Sequence, residues 1–401
     1  MRLGNKTKPA LVLSGGGIKA AAFHIGVCLA LREKGFQFAG GSPAVVQQNF
    51  PEDRLTFKIY VGSSAGSVIS TFLAAGYSID AIIDAFTRGA GLGPLSRPRS
   101  DQTFLKPLGY RDVFALNLPN SRSSFGLNKL FRQRPIVTGG IEVLLKRGFK
   151  VNGLFSARNL EKYLRENVFS PNDFKALGVQ LYIIATQLNH SRKVIFGPYE
   201  ETTKTKDVKY ANYAQVSQAV AASASLPPFF APYPIKNNKG KEIYFFDGEI
   251  RDTLSTHVAA EHGADLVISS YSIQPYHYNK EVGSLHEFGM PAIFNQALYQ
   301  VVQQKIERHI KHQQDLSSVI QTIQGYLRQV KVDEEHIQKV IEVVTSRTNY
   351  NPNVKYIYIH PSPQDYEMFF YDHFSLNPTI LGHIVRIGFK AAMTALRYHQ
   401  I

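Results

Sequence analysis

The pentapeptide Gly62-Ser63-Ser64-Ala65-Gly66 sets a serine among small residues. A tight strand-to-helix turn needs that composition if its hydroxyl is to stand clear of the backbone, and such a turn presents Ser64 as a nucleophile for acyl transfer. The spacing alone is a common accident, because glycine is abundant in all proteins. Its context carries the weight. Phe57 to Val61 reads as a strand ahead of the motif, and Ser67 to Ala75 behind it has apolar residues at helical spacing.

A second feature lies upstream, where Gly15-Gly16-Gly17-Ile18-Lys19 separates a short apolar run from a helical one. Backbone N–H groups in such a loop can point at an anion beside the helix N-terminus. With the N–H of Ala65, those of Gly15, Gly16 and Gly17 suit a developing oxyanion. The plain alternative is that the glycines only allow helix and sheet to pack closely. A sharper rival is the dinucleotide fingerprint G-x-G-x-x-A, which Gly15 to Ala20 also matches. That reading needs an acidic residue about 20 positions on, and Phe36 to Gly41 offers none. A Walker loop fails for want of a Gly-Lys-Ser/Thr ending.

A serine hydroxyl also needs a base. Asp247, in Phe246-Asp247-Gly248-Glu249, ends a predicted strand and precedes a glycine that permits a tight turn. Taken alone, Asp-Gly is only a turn signal. An ordinary triad would use a histidine downstream of the aspartate, and His257, His262, His277 and His360 all qualify by order. His24 falls on an apolar helix with no metal-ligand partner at i+4, which makes it a packing histidine.

These groups need elements to hold them. Ala10 to Ser14 reads as a buried strand and Ile18 to Lys34 as a helix stopped by Gly35. Two strand-turn-helix units in the first 80 residues predict a parallel sheet wrapped by helices, because parallel strands require crossovers. Val179 to Leu188, Lys193 to Phe196, Glu242 to Phe246, Ala264 to Ser269 and Val354 to His360 supply further strands, and Ala211 to Ala224 reads as a helix. Leu316, Val319, Ile320, Ile323, Leu327 and Val330 mark a helical hairpin inserted over 286–350, with Asp333 capping its second arm. Asn377 and Pro378 open the last helix. The expected architecture is one α/β domain over 8–401, a central mostly parallel sheet flanked by helices in three α/β/α layers. It carries two inserts: the hairpin and a basic, loop-rich segment over 88–150.

Several blocks together resemble the patatin-like phospholipase family. In that family a GGGxR/K loop, a GxSxG serine and a DG[GA] aspartate occur in this order, here Gly15 to Lys19, Gly62 to Gly66 and Asp247-Gly248. Ala221 to Phe230 (AASASLPPFF) is similar to the stretch ahead of the family's aspartate, and Gly388 to Leu396 to its closing helix. The recognisable blocks cover Lys8 to Gly35, Lys58 to Arg88, Val179 to Ser270 and roughly the last 45 residues. The resemblance implies a Ser64–Asp247 dyad without histidine, acting on carboxyl esters of phospholipid or lysophospholipid with no metal or cofactor. Lys19 then becomes a possible contact for a lipid phosphate, or else a structural cation. Glu249 departs from the family pattern, standing where a small residue is usual. The 88–150 and 286–350 segments have no counterpart in it. An acyltransferase, and a catalytically silent membrane scaffold, are the alternatives.

Composition sets the surroundings. Among 401 residues, 44% are hydrophobic and 19% charged, which fits a folded globular chain. The lone cysteine, Cys28, excludes a disulfide framework and a cysteine metal site. The net charge of +14 points to an anionic partner. Twelve Lys/Arg against three Asp/Glu fall between Arg88 and Lys150, so most of the excess is local, in either a solvated loop-rich insert or a surface that docks on phospholipid head groups. Composition does not separate nucleic acid from an anionic membrane, and it is the resemblance that implies the membrane and no nucleic acid. No signal peptide or uninterrupted apolar span is evident, so a cytoplasmic or membrane-peripheral protein is expected, with export by a non-Sec route left open. Oligomeric state has no signature.

Overall fold

The computed structural model describes residues 8–89, 104–117, 152–190, 192–348 and 350–399. Ten strands form one sheet: β1 (Pro9–Leu13), β2 (Ile59–Ser63), β3 (Gln180–Gln187), β4 (Arg192–Phe196), β5 (Thr203–Lys204), β6 (Val208–Ala211), β7 (Tyr233–Lys236), β8 (Glu242–Asp247), β9 (Leu266–Ser270) and β10 (Lys355–Ile359). The main path runs β10-β9-β1-β2-β3-β4-β6-β5. Its first five strands are all parallel. Parallel strands are covered on both faces, so β1 (PALVL), β2 (IYVGS) and β9 (LVISS) are buried at every position and lack a polar alternation.

The helices used below are α1 (Gly17–Glu33), α2 (Ala65–Ala74), α3 (Ile79–Gly89), α4 (Arg158–Asn167), α5 (Val216–Ser223), α6 (Thr256–Glu261), α7 (Gly289–Gln329), α8 (Glu334–Thr348) and α9 (Pro378–Tyr398). Leu11 and Leu13 of β1 face a core shared with α1, α2 and α9, while Ala10 and Val12 face a second one closed by Val258 and Ala259 of α6. The result is the expected α/β/α sandwich. α1 is the inner helix of its layer. A Cβ on Gly26 would strike the Val385 carbonyl of α9, and one on Gly388 the Phe23 carbonyl of α1, so the two backbones nearly touch. α9 is long and apolar enough to cross a membrane, but it includes Arg386 and Lys390 and lies along α1.

The hairpin is present as α7 and α8, closed by Ile320, Ile337 and Ile341. Asp333 Oδ1 accepts the His336 N–H at 3.0 Å, the expected cap. Of the 88–150 segment, 90–103 and 118–150 lie outside the described residues. Between them, Ala115–Leu116 pairs with Phe155–Ser156. One expectation needs correction. Ala211 to Ala224 is not a single helix: Ala211 ends β6 opposite Phe196, and the helix starts only at Val216, where Gln215 and Gln218 make a capping box. Strand pairing overrides helix propensity there.

Candidate active site

Register on β3 brings the two distant motifs together. β4 occupies one edge of β3. On the other edge β2 rises until Ser63 pairs with Ile184, and β8 descends antiparallel until Asp247 pairs with Ala185. The two strands therefore meet head-on, and the residues at their tips, Ser64 and Asp247, face each other. The Ser64 side chain lies close enough to the Asp247 carboxylate to favour its ionised form.

Ser64 sits at φ 49° and ψ −123°, a conformation that costs a non-glycine residue about 1–3 kcal/mol. Several contacts hold the turn. The Ser64 N–H donates to Ser223 Oγ at 2.8 Å, and the Ser67 hydroxyl donates to the Ser64 carbonyl at 2.5 Å. A Cβ at Gly66 would run into the carbonyl oxygens of Leu13 and Ser14, so only glycine lets the turn pass beneath the end of β1. The Ser14 carbonyl also accepts from Gly66 N at 3.1 Å and from His24 Nε2 at 2.8 Å. His24 Nδ1 in turn accepts from the Ser270 hydroxyl at 2.8 Å, which fixes the neutral Nε2–H tautomer. Burial drives the His24 pKa down to about 4, despite the bond to Ser14.

Asp247 is 1% exposed, and burial raises its pKa to about 6, with the Ser64 hydroxyl and the Glu249 N–H opposing the shift. The Glu249 N–H donates to Asp247 Oδ1 at 2.9 Å, and the Asp247 N–H to the Ser225 carbonyl at 3.0 Å.

The glycine loop begins where β1 ends. Gly16, at φ 131°, needs a conformation that a side chain rarely allows. Among the described residues, the N–H groups of Gly16, Gly17 and Ala65 donate to no protein acceptor, leaving three donors beside Ser64. Gly15 departs from the expectation. Its N–H is taken by Glu249 Oε1 at 2.6 Å, and the space over Gly15 is filled by the Glu249 side chain and Ser64 Cβ. Burial and the neighbouring Asp247 charge push Glu249 well above the usual carboxylate range. Two carboxyl groups in so small a space oppose each other's ionisation.

Lys19 requires a second correction. It is 1% exposed and cannot reach a lipid phosphate. Its Nζ donates to the Met368 carbonyl at 2.7 Å and to Tyr299 Oη at 2.8 Å. The Tyr299 hydroxyl donates to His373 Nε2 at 3.0 Å, and His373 Nδ1 to the Gly16 carbonyl at 3.2 Å. This chain props the loop from beneath. Burial takes Lys19 down to about 7, and burial with the Lys19 charge takes His373 to about 4.

Tyr299, His373 and Ser223 escaped the sequence reading. Tyr299 comes from the inserted hairpin, which carries no motif, while His373 and Ser223 stood inside recognised blocks without an assigned role. The four triad histidines are engaged elsewhere or remote. His257 Nε2 meets Lys193 Nζ at 2.7 Å, and His262 stacks on Tyr182 and bonds the Val258 carbonyl. His360 stacks on Tyr271, and His277 is exposed.

Above Ser64 opens an apolar slot of about 70 Å³, walled by Ile18, Ala65, Val68, Phe86, Leu226 and Phe374 among others. A strained serine between a glycine loop and an aspartate, at the carboxyl edge of an α/β/α sheet, has the geometry of a nucleophile elbow. Residues 11–260 match the family model described as Patatin-like phospholipase, and the chain belongs to that family, whose members are lipid acyl hydrolases. No curated protein matches the chain at significant similarity.

Proposed function

We propose that this protein is a serine lipid acyl hydrolase of phospholipase A or lysophospholipase type, using Ser64 and Asp247 as a dyad. The head-on meeting on β3 of a serine at a strained turn with a buried Asp247 is the observation that carries this reading. Asp247 accepts the hydroxyl proton as Ser64 Oγ attacks the ester carbonyl. The oxyanion that forms is received by the N–H groups of Gly16, Gly17 and Ala65. Asp247 returns the proton to the departing alcohol, then takes one from the attacking water and hands it to Ser64 Oγ as the acyl–serine bond breaks. Every step uses this chain's own residues.

The same edge of the sheet carries a surface suited to lipid. The segments leaving β9 and β10 start level with the loop and the elbow, and they bear exposed Tyr278, Phe288, Met290, Ile293, Phe294 and Phe370. Residues 288–304 contain no charge, and Lys305, Arg308 and Lys311 follow on the next turns of α7. An apolar crest backed by cations supports peripheral docking on an anionic bilayer.

The test is turnover of phospholipid, lysophospholipid and a short-chain ester by the wild type, Ser64→Ala and Asp247→Asn. The wild type should hydrolyse at least one lipid and both variants should fall to background. Equal rates in all three proteins would sink the proposal.

A further inference from the structure

The slot above Ser64 is too small to hold a lipid chain, since ligand sites usually span about 300–1,000 Å³ and this one holds about 70 Å³. A second space adjoins it. Ile18 and Phe86 line the slot and also line this second, apolar groove of about 280 Å³. Ala22 and Ile25 of α1, Ile83 of α3, and Leu381, Gly382 and Val385 of α9 complete that groove. The two spaces together reach the range of a ligand site. From Ile18 to Ile25 the groove follows α1 for about 10 Å at 1.5 Å per residue, the direction an extended chain would take from the ester.

We infer that this groove is the distal subsite for a long acyl chain. It rests on the reading of Ser64 as nucleophile, because the occupant is the acyl group whose carbonyl lies at that residue. Its outer wall belongs to α9, beyond the matched 11–260 region. Phe86, which lines both spaces, is the partition that a short chain does not pass. Gly382 leaves part of the α9 wall open. A Cβ there meets no atom within 4 Å, so no neighbour demands glycine, and a helix interior is weakened by having one. A side chain at that position would enter the groove without disturbing the α1–α9 contact, which is made at Gly26 and Gly388 instead.

The test combines binding and turnover on the full chain. Hexadecanoate, below its micellar concentration, is titrated calorimetrically into wild type and Gly382→Phe, and both are assayed on four-carbon and sixteen-carbon esters of one alcohol. Gly382→Phe is expected to weaken hexadecanoate binding at least tenfold and to lower sixteen-carbon kcat/KM by a similar factor. The four-carbon rate should stay within twofold, which also shows that the variant is folded. Phe86→Ala should narrow the wild-type difference between chain lengths. Unchanged hexadecanoate binding in Gly382→Phe would overturn the proposal, as would equal losses on both esters. A larger species in the wild type that Gly382→Phe dissociates, with hexadecanoate binding unaltered, would assign the groove to a second copy and also overturn it. If neither ester is turned over yet Gly382→Phe weakens hexadecanoate binding, the dyad reading fails and the groove stands.

Discussion

Glu249 is the residue whose replacement tests the geometry most sharply, because it reaches from the end of β8 across Ser64 to the glycine loop. Two effects oppose each other. Its carboxyl takes the Gly15 N–H at 2.6 Å, and losing that acceptor strands a buried donor at a cost of about 1–3 kcal/mol. Its removal also opens space beside Ser64 and frees one more N–H for an oxyanion. The first effect should dominate. Gly16 and Gly17 can aim their N–H groups only while Gly15 is anchored, whereas an added donor on a loosened loop is poorly placed. If the cost appears in the transition state, Glu249→Ala lowers kcat about 5- to 150-fold, with KM changed little. Glu249→Gln keeps an oxygen acceptor for the Gly15 N–H, so it should retain kcat within about threefold. The assay is steady-state hydrolysis of a short-chain ester at pH 8, where interfacial binding plays no part. An alanine variant as fast as wild type, or faster, would show that the carboxyl obstructs the site. A glutamine variant as slow as alanine would show that its proton matters.

Asp247 must be ionised to accept a proton, and its pKa is raised to about 6. Activity should therefore rise with pH and be half-maximal near pH 6; a profile flat from pH 4 to 8 would contradict the assignment. His24→Ala removes a fully buried ring bonded at both nitrogens and should cost about 2–4 kcal/mol in urea unfolding, so an unchanged midpoint would refute its bracing role. Lys19→Met should lower the melting temperature while leaving vesicle binding intact, the opposite of what a head-group contact predicts. Met290→Asp with Phe294→Asp should abolish hydrolysis of vesicles but not of a soluble ester, and wild-type vesicle binding should weaken as salt rises.

Much of the site was legible because its parts are local. A strand, a glycine-rich turn and a helix follow within a few residues around both Gly15 to Lys19 and Ser64, and each signal is short-range. Lys19 misled because a lysine in a helix's first turn is ordinarily solvated. The clue lay in its neighbours: Ile18 to Leu31 is apolar around the whole circumference, the mark of a helix covered on all sides, and Lys19 is carried inside with it. The meeting of β2 and β8 is not a local property at all. It depends on which edge of β3 each strand selects, and no window of sequence records that choice. The same holds for Tyr299 and His373, which reach the loop from 280 positions away and more.

The head-on junction on β3 also governs when the protein can become active. Ser64 and Asp247 lie on opposite sides of β3 in the sequence, so neither finds the other until that strand is seated between the parts of the sheet that precede and follow it. A growing chain that has completed the elbow, the glycine loop and α1 still lacks its base for well over a hundred residues of synthesis. Contacts of such long range form late in folding. Ester hydrolysis should therefore return after the helical signal in a refolding experiment, so that a chain still being made carries the nucleophile without its base.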